Sequence, residues 1–409
     1  LARFGWYFYL ALSLTSLVAL GRVPVGGHYD IFIRGTRAFL ELGTPYGVHF
    51  NDSGWWFYSP SCALFFFSIF SPLPDALGQL AYVGGSWALF TWGLRALLRR
   101  FAASLSPRRE SFFWFILTSE MIGAILNARI EIAMTGVLFW AWLAMERERT
   151  VLAGVLTAMV TVWKFLTLPV AGLWMAIELL NRRSLRFVLG FFGGAALWLI
   201  LPFAVRPVNY MSAQYGQWLG SIGEVFKAQD EPWRMFQHVY RFLDIALGIP
   251  LRFAQAQMLG AAIGGLLVAI AWQSQRQGRS TAHLRLLGLG LGMAHLNAFA
   301  LTSQSAAYVS YAPLLLAALL GWESLAPRLR RMGPWVIGVA YFSISLLYSD
   351  VVPRAWKAWA WMYSIKSLGI VLLAVWVSVA FSRARATEGS QTENATSRGG
   401  KGATNAAPL

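Results

Sequence analysis

Apolar runs long enough to cross a membrane recur along nearly the whole chain, and most are closed by a short arginine cluster. A bilayer hydrocarbon core is about 30 Å thick, which takes about 20 helical residues. With 57% hydrophobic and only 13% charged residues, and a mean hydropathy of +0.52, too little polar surface is left to cover a soluble globule. The 20 Trp and 14 Tyr suit interfacial belts. A formal charge of +16 would point to nucleic acid in a soluble protein. Here the arginines fall between apolar spans, where they orient the chain, and no nucleic-acid partner is read from them. The single cysteine, Cys62, excludes an intrachain disulfide and any Cys-based zinc site.

The first span runs from Phe4 to Val23 behind Arg3, and no A-x-A cleavage site follows it, so it is expected to be retained. Further spans are predicted at 77–98, 111–127, 131–145, 151–163, 166–180, 186–205, 253–272, 284–301, 306–324, 333–350 and 361–381, which makes twelve. With the N-terminus inside, this topology puts Arg99, Arg100, Arg108, Arg109, Arg147, Arg149, Arg182, Arg183, Arg186, Arg276, Arg279, Arg328, Arg330, Arg331, Arg383 and Arg385 on the cytoplasmic side. It holds only if 57–75, interrupted by Pro60, Pro72 and Pro74, does not cross. Residues 1–386 then form a single transmembrane domain with external loops at 23–76 and 206–252. The tail 387–409, rich in Ser, Thr, Gly, Asn and Ala, has nothing to bury and reads as disordered and cytoplasmic.

Polar groups on the external side are the functional candidates. In the first loop, residues 30–42 carry helix-type spacing of apolar residues against Arg34, Arg37 and Glu41, which predicts an amphipathic helix at the outer interface. Asp30 at its start is either an N-cap or a base held at the membrane surface. Lys164 lies between two apolar legs of about 20 Å, so it is placed within the membrane or near its outer face. It either contacts a lipid phosphate, pairs with a carboxylate such as Glu120 or Glu131, or snorkels. Arg129 and Glu131, on the outer turn before 131–145, either contact phosphate and sugar or pair with each other. Arg234, His238 and Arg241 fall on one helical face, as an anion-binding stripe or as an ordinary interfacial helix. His28, His49 and Asp52 near Asp30 lack regular ligand spacing, and no metal site is expected.

Asp30, Gly43, Pro45 and Tyr46, followed by Tyr58, Pro60, Pro72 and Pro74, resemble the first-loop signature of glycosyltransferase family 87. The resemblance continues through RERTVLAGVLTAMVTVWKFLTLPV and NRRSLRFVLG. Two motifs depart from it. Where the family commonly carries Gly-Gln-x-Asn, this chain has Ala128, Arg129, Ile130 and Glu131, and where it often carries Ser-Trp-x-His-His-Tyr, this chain has Ser303, Gln304, Ser305, Ala306, Ala307 and Tyr308.

The resemblance implies an all-α polytopic membrane protein with the GT-C fold, set in the plasma (inner) membrane of a bacterial cell, its site facing the periplasm or cell exterior. It implies transfer of a sugar, most simply mannose, from a polyprenyl-phosphate-linked donor to a lipid-linked or glycan acceptor, without cofactor or metal. A polyprenyl-phosphate sugar carries a good leaving group, so the leaving side needs positive charge and the acceptor hydroxyl needs one base. Asp30 is the expected base, with Lys164, Arg129, Glu131, Arg234, His238 and Tyr58 as donor contacts. A lipid-linked-glycan transporter without chemistry, another GT-C transferase such as an arabinofuranosyltransferase, and a non-catalytic relative are the alternatives.

Overall fold

A chain this apolar has to satisfy its own backbone hydrogen bonds, and helices do that within one segment. The computed structural model describes residues 2–22, 27–47, 56–180, 185–227, 238–249, 251, 253–276, 280–299, 305–323, 325, 327–348 and 352–383. Among these there are helices and turns but no strand. In chain order the α-helices are α1 Ala2–Leu20, α2 Gly27–Leu40, α3 Pro60–Phe65, α4 Asp75–Arg100, α5 Pro107–Leu126, α6 Ile130–Glu146, α7 Thr150–Trp163, α8 Leu168–Leu180 and α9 Leu185–Val205. There follow α10 Val208–Lys227, α11 Val239–Leu247, α12 Phe253–Arg276, α13 Thr281–Phe299, α14 Ala312–Glu323, α15 Pro327–Ile344, α16 Arg354–Met362 and α17 Ile365–Arg383. A helix lies in each of the twelve predicted spans. Among the described residues, three stretches are long and apolar enough to cross a membrane by length and composition: Arg3–Leu20, Leu185–Val205 and Ile365–Ser382. The tail from Thr387 lies outside the described residues.

Residues 57–75 do not form a spanning helix. α3 and the 3-10 turn Phe67–Ile69 together reach only from 60 to 69, about 15 Å of rise. Ser59 caps α3, its hydroxyl accepting the Cys62 amide at 3.4 Å, and Pro60 supplies a first helical residue with no amide to satisfy. The Phe66 ring stacks on Trp163 at 4.4 Å, which ties this short element to the end of α7.

α2 starts three residues before the predicted boundary, so Asp30 sits inside its first turn rather than at the N-cap. The apolar face of α2 is covered by protein. Phe32 stacks on Phe67 at 4.4 Å and meets Tyr58 edge-on at 5.1 Å, while Tyr29 stacks on Tyr82 at 5.8 Å. A β-carbon on Gly35 would enter the Trp56 ring, so only glycine lets that indole lie across the helix. The loop predicted at 206–252 contains a 20-residue helix, α10, that its mixed composition did not announce. It clasps the first loop: Tyr210 donates to the Gly43 carbonyl at 2.6 Å and Trp218 to the Phe57 carbonyl at 3.2 Å.

α7 and α9 pack through small residues, as lipid-embedded helices do where close backbone approach replaces hydrophobic driving force. Gly154 and Ala158 on α7 face Gly190 and Gly194 on α9, and a β-carbon on Gly190 would meet the Val151 backbone. Gly190→Leu should therefore force the pair apart and lower stability by about 2 kcal/mol or more. Gly193→Ala, where the added methyl meets nothing within 4 Å, should be neutral or stabilising by up to about 1 kcal/mol. Thermal unfolding of the two variants in detergent measures the contrast, and equal losses would disprove close packing at Gly190.

Candidate active site

Three chain reversals bring charge to the end of the bundle opposite the arginine clusters. The turn between α5 and α6 passes through Ala128 in the left-handed region, φ +50°, which lets the Arg129 amide return to the Ala124 carbonyl at 3.0 Å. Glu131 then stands in the first turn of α6. α7 stops at Lys164, whose extended backbone (φ −146°, ψ 95°) separates it from a 3-10 turn, Phe165–Thr167, and α8. The turn before α17 uses Ser364, φ +52°, and delivers Lys366 into the first turn of that helix.

The charges at these points are held in two pairs. Lys164 Nζ donates to Glu131 Oε1 at 2.6 Å, with the two side chains 18% and 4% exposed. This is the carboxylate partner that the sequence left open between Glu120 and Glu131. Glu120 belongs elsewhere: it takes Lys366 Nζ on both oxygens, at 3.1 and 2.9 Å, and the Ser345 hydroxyl at 3.0 Å. The Lys366 ammonium also lies over the Tyr308 and Tyr348 rings at 4.8 and 5.2 Å.

Arg129 lies within electrostatic reach of both pairs, since its charge acts on Glu131 and on Lys366. Arg129, Lys164 and Lys366 thus gather with Glu120 and Glu131 in one region. His28 feels Arg129, Glu131 and Lys164 from α2 but adds no charge at neutral pH. Enclosure of its ring, reinforced by the Arg129 guanidinium, pushes its pKa down to about 3. Tyr58 completes the wall, its ring 6.0 Å from Lys164 Nζ, and its carbonyl is fixed by the Tyr46 hydroxyl and the Trp56 indole, both at 2.8 Å. Glu131 Oε2 is buried with no hydrogen-bond donor among the described residues.

Asp30 and His28 are two residues apart on α2 and project about 200° apart around the axis. Among the described residues Asp30 makes its ion pair with Arg34, one turn on, at 2.7 Å, rather than with a cation of the buried group. Arg34 is half exposed, and a surface i,i+4 pair of this kind is worth about 0.3–0.5 kcal/mol. That pair is easily exchanged for a substrate.

Of the predicted stripe of Arg234, His238 and Arg241, only His238 and Arg241 fall among the described residues, and His238 precedes the helix that holds Arg241. Arg234 lies outside the described residues, and α11 begins only at Val239. His238 has extended backbone (φ −135°, ψ 158°) and caps that helix, Nδ1 accepting the Arg241 amide at 3.2 Å. Burial, with the nearby Arg241 charge, lowers its pKa to about 4, so it offers no positive charge to an anion. His49 and Asp52 also lie outside the described residues, as do Ser303 and Gln304. Ser305 to Tyr311 form a 3-10 turn that leads into α14 and places Tyr308 beneath Lys366.

Lys366 and the role of Glu120 escaped the sequence reading, although the signal was present. Each is a lone charge within an apolar run, and such a charge is a functional candidate by default. If the pair is held in low dielectric, Glu120→Gln should strand the Lys366 ammonium and cost about 3 kcal/mol or more. The double variant Glu120→Gln/Lys366→Met should recover most of that loss. A thermal-denaturation cycle that found the two substitutions additive would refute the pairing.

Comparison with known proteins bears on what this charged end is for. The sequence profile of glycosyltransferase family 87 matches residues 56–296, which contain Tyr58, Glu120, Arg129, Glu131 and Lys164 but neither Asp30 nor Lys366. No curated protein gives a significant match. The profile covers more than half of the 409 residues, and the chain belongs to glycosyltransferase family 87.

Proposed function

We propose that this glycosyltransferase takes its sugar, mannose, from a polyprenyl-phosphate carrier and transfers it to a lipid-linked or glycan acceptor on the non-cytoplasmic face of a bacterial plasma membrane. The observation that supports the reading is the gathering of three cations, Arg129, Lys164 and Lys366, in one region of a chain that belongs to a glycosyltransferase family. Cations held in low dielectric attract an anion more strongly than they do in water, and a phosphate that settles among them gains that attraction. In the proposed GT-C arrangement the twelve predicted spans cross the membrane. α7, 14 residues and about 21 Å long, then stops short of a full crossing and leaves Lys164 within the membrane toward its outer face, where the long lysine side chain reaches toward a lipid phosphate.

The chemistry needs few groups. As the bond between the anomeric carbon and the phosphate oxygen breaks, negative charge grows on the leaving phosphate, and fixed cations stabilise it without a proton donor. Asp30, in the first turn of α2, exchanges Arg34 for the acceptor hydroxyl and takes its proton as that oxygen attacks from the opposite face, which inverts the anomeric carbon. The donorless Oε2 of Glu131 accepts a hydroxyl of the donor sugar. No metal or cofactor enters these steps.

Asp30→Asn keeps shape but loses proton-accepting power, so transfer from radiolabelled polyprenyl-phosphate-mannose should fall by about 100-fold or more. Donor binding should hardly change, and stability should shift by at most about 1 kcal/mol. Full turnover in a well-folded Asp30→Asn protein would sink the mechanism.

Lys164→Met keeps length and removes charge, so donor affinity should drop while the purified protein still folds. Unchanged donor binding in that variant would assign Lys164 to structure alone.

A further inference from the structure

About 22 Å along α6 from Glu131, at the end of the bundle where the arginines cluster, lies a second charged region that the transfer chemistry does not use. A cavity of about 610 Å³ opens there between the ends of α4, α6 and α8 and the starts of α7, α9 and α13. Its floor is a three-member ion cluster. Arg285 Nε donates to Glu178 Oε1 at 2.6 Å and Arg285 Nη1 to Glu146 Oε1 at 2.9 Å. Glu178 is fully buried, Arg285 and Glu146 are about nine-tenths buried, and the indole of Trp174 pins the Arg285 carbonyl at 2.8 Å.

Among the described residues, two carboxylates meet one guanidinium on the floor, with Arg100 reaching Glu146 Oε2 from the mouth only at 3.5 Å, so the floor carries the more negative charge. Glu178 Oε2 is buried without a hydrogen-bond donor among the described residues, so the floor holds an acceptor that Arg285 does not satisfy. The mouth has the opposite sign. Arg100, 63% exposed and only loosely set on Glu146 at 3.5 Å, and the exposed Arg186 outweigh Glu148. Thr150, Ser280 and Thr281 add hydroxyls to the wall. A ligand that matches this gradient carries a cation with N–H donors at its inner end and an anion a few ångströms behind it.

We propose that this cavity binds a phosphoethanolamine-type group, its primary ammonium toward Glu146 and Glu178 and its phosphate between Arg100 and Arg186. The headgroup of an aminophospholipid in the arginine-side leaflet is one source, and a free amino-phosphate is the other. A quaternary ammonium offers no N–H and leaves the floor unsatisfied, and a headgroup without an amine meets the floor's negative charge. The proposal does not depend on the transferase reading.

The test uses the full chain purified in detergent and stripped of lipid, titrated with dihexanoyl-phosphatidylethanolamine, dihexanoyl-phosphatidylcholine, dihexanoyl-phosphatidylglycerol and O-phosphoethanolamine, with binding read by thermal shift and native mass spectrometry. The ethanolamine lipid should bind at least about tenfold more tightly than the choline and glycerol lipids. Arg100→Ala/Arg186→Ala, at exposed positions, should weaken it by about tenfold or more without altering the melting temperature of the lipid-free protein. Glu146→Gln should erase the preference for ethanolamine over choline. Binding of the lipid alone identifies the membrane as the source, and binding of O-phosphoethanolamine alone identifies a soluble ligand. Either result supports the amine-and-phosphate chemistry. Equal affinity for the three lipids, or ethanolamine binding that survives the double arginine substitution, would overturn the proposal.

Discussion

Charge placed in a low-dielectric interior has to be matched close at hand, and the end of this protein opposite the arginine clusters is organised around that requirement. The pairs Lys164–Glu131 and Lys366–Glu120 join the break after α7 to the start of α6, and the start of α17 to the middle of α5. These segments are far apart in sequence. Neither pair is a cheap way to hold helices together, because desolvation consumes most of the attraction and apolar residues of similar size would stabilise as well. Their presence at the same end as Tyr58 and His28 is better explained by what the charges act on than by what they hold.

The packing supports this. α7 can bring Lys164 to its place only because it lies directly against α9, backbone on backbone, through Gly154, Ala158, Gly190 and Gly194. The segment between α1 and α4 reaches the same region because α10 holds it down through Tyr210 and Trp218, and because Gly35 lets Trp56 lie across α2. Tyr58 is thereby fixed by its carbonyl, and its ring stays beside Lys164. At the other end of α6 the same rule gives a different result. Among the described residues, a more negative floor lies under a more positive mouth, a gradient of charge along the cavity.

Much of this was written into local sequence. Each predicted apolar run contains a helix, because a continuous stretch of large apolar side chains in lipid has few other ways to satisfy its backbone. The break at 57–75 was legible from Pro60, Pro72 and Pro74, and the helix holding Asp30 from the spacing of Ile31, Phe32, Ala38 and Phe39. α10 was not legible. Its Asn209, Gln214, Gln217 and Ser221 make it look like loop, and it is stabilised by the first loop that it covers. The spacing of Arg234, His238 and Arg241 matched a helical face, yet His238 ends in a cap, because spacing cannot say where a helix begins.

The residues alone determined the helical class, the positions of the apolar segments, the side on which arginine gathers and the candidacy of Asp30, Lys164, Arg129 and Glu131, since these follow from local periodicity and from the cost of charge in hydrocarbon. Only the tertiary structure decided which charges meet. Glu120 could have served Lys164, but the fold gives Lys164 to Glu131 and Glu120 to Lys366, 246 positions away along the chain. Partner choice depends on which helix ends are brought level by side-chain packing between distant segments, and that information belongs to no single stretch of sequence.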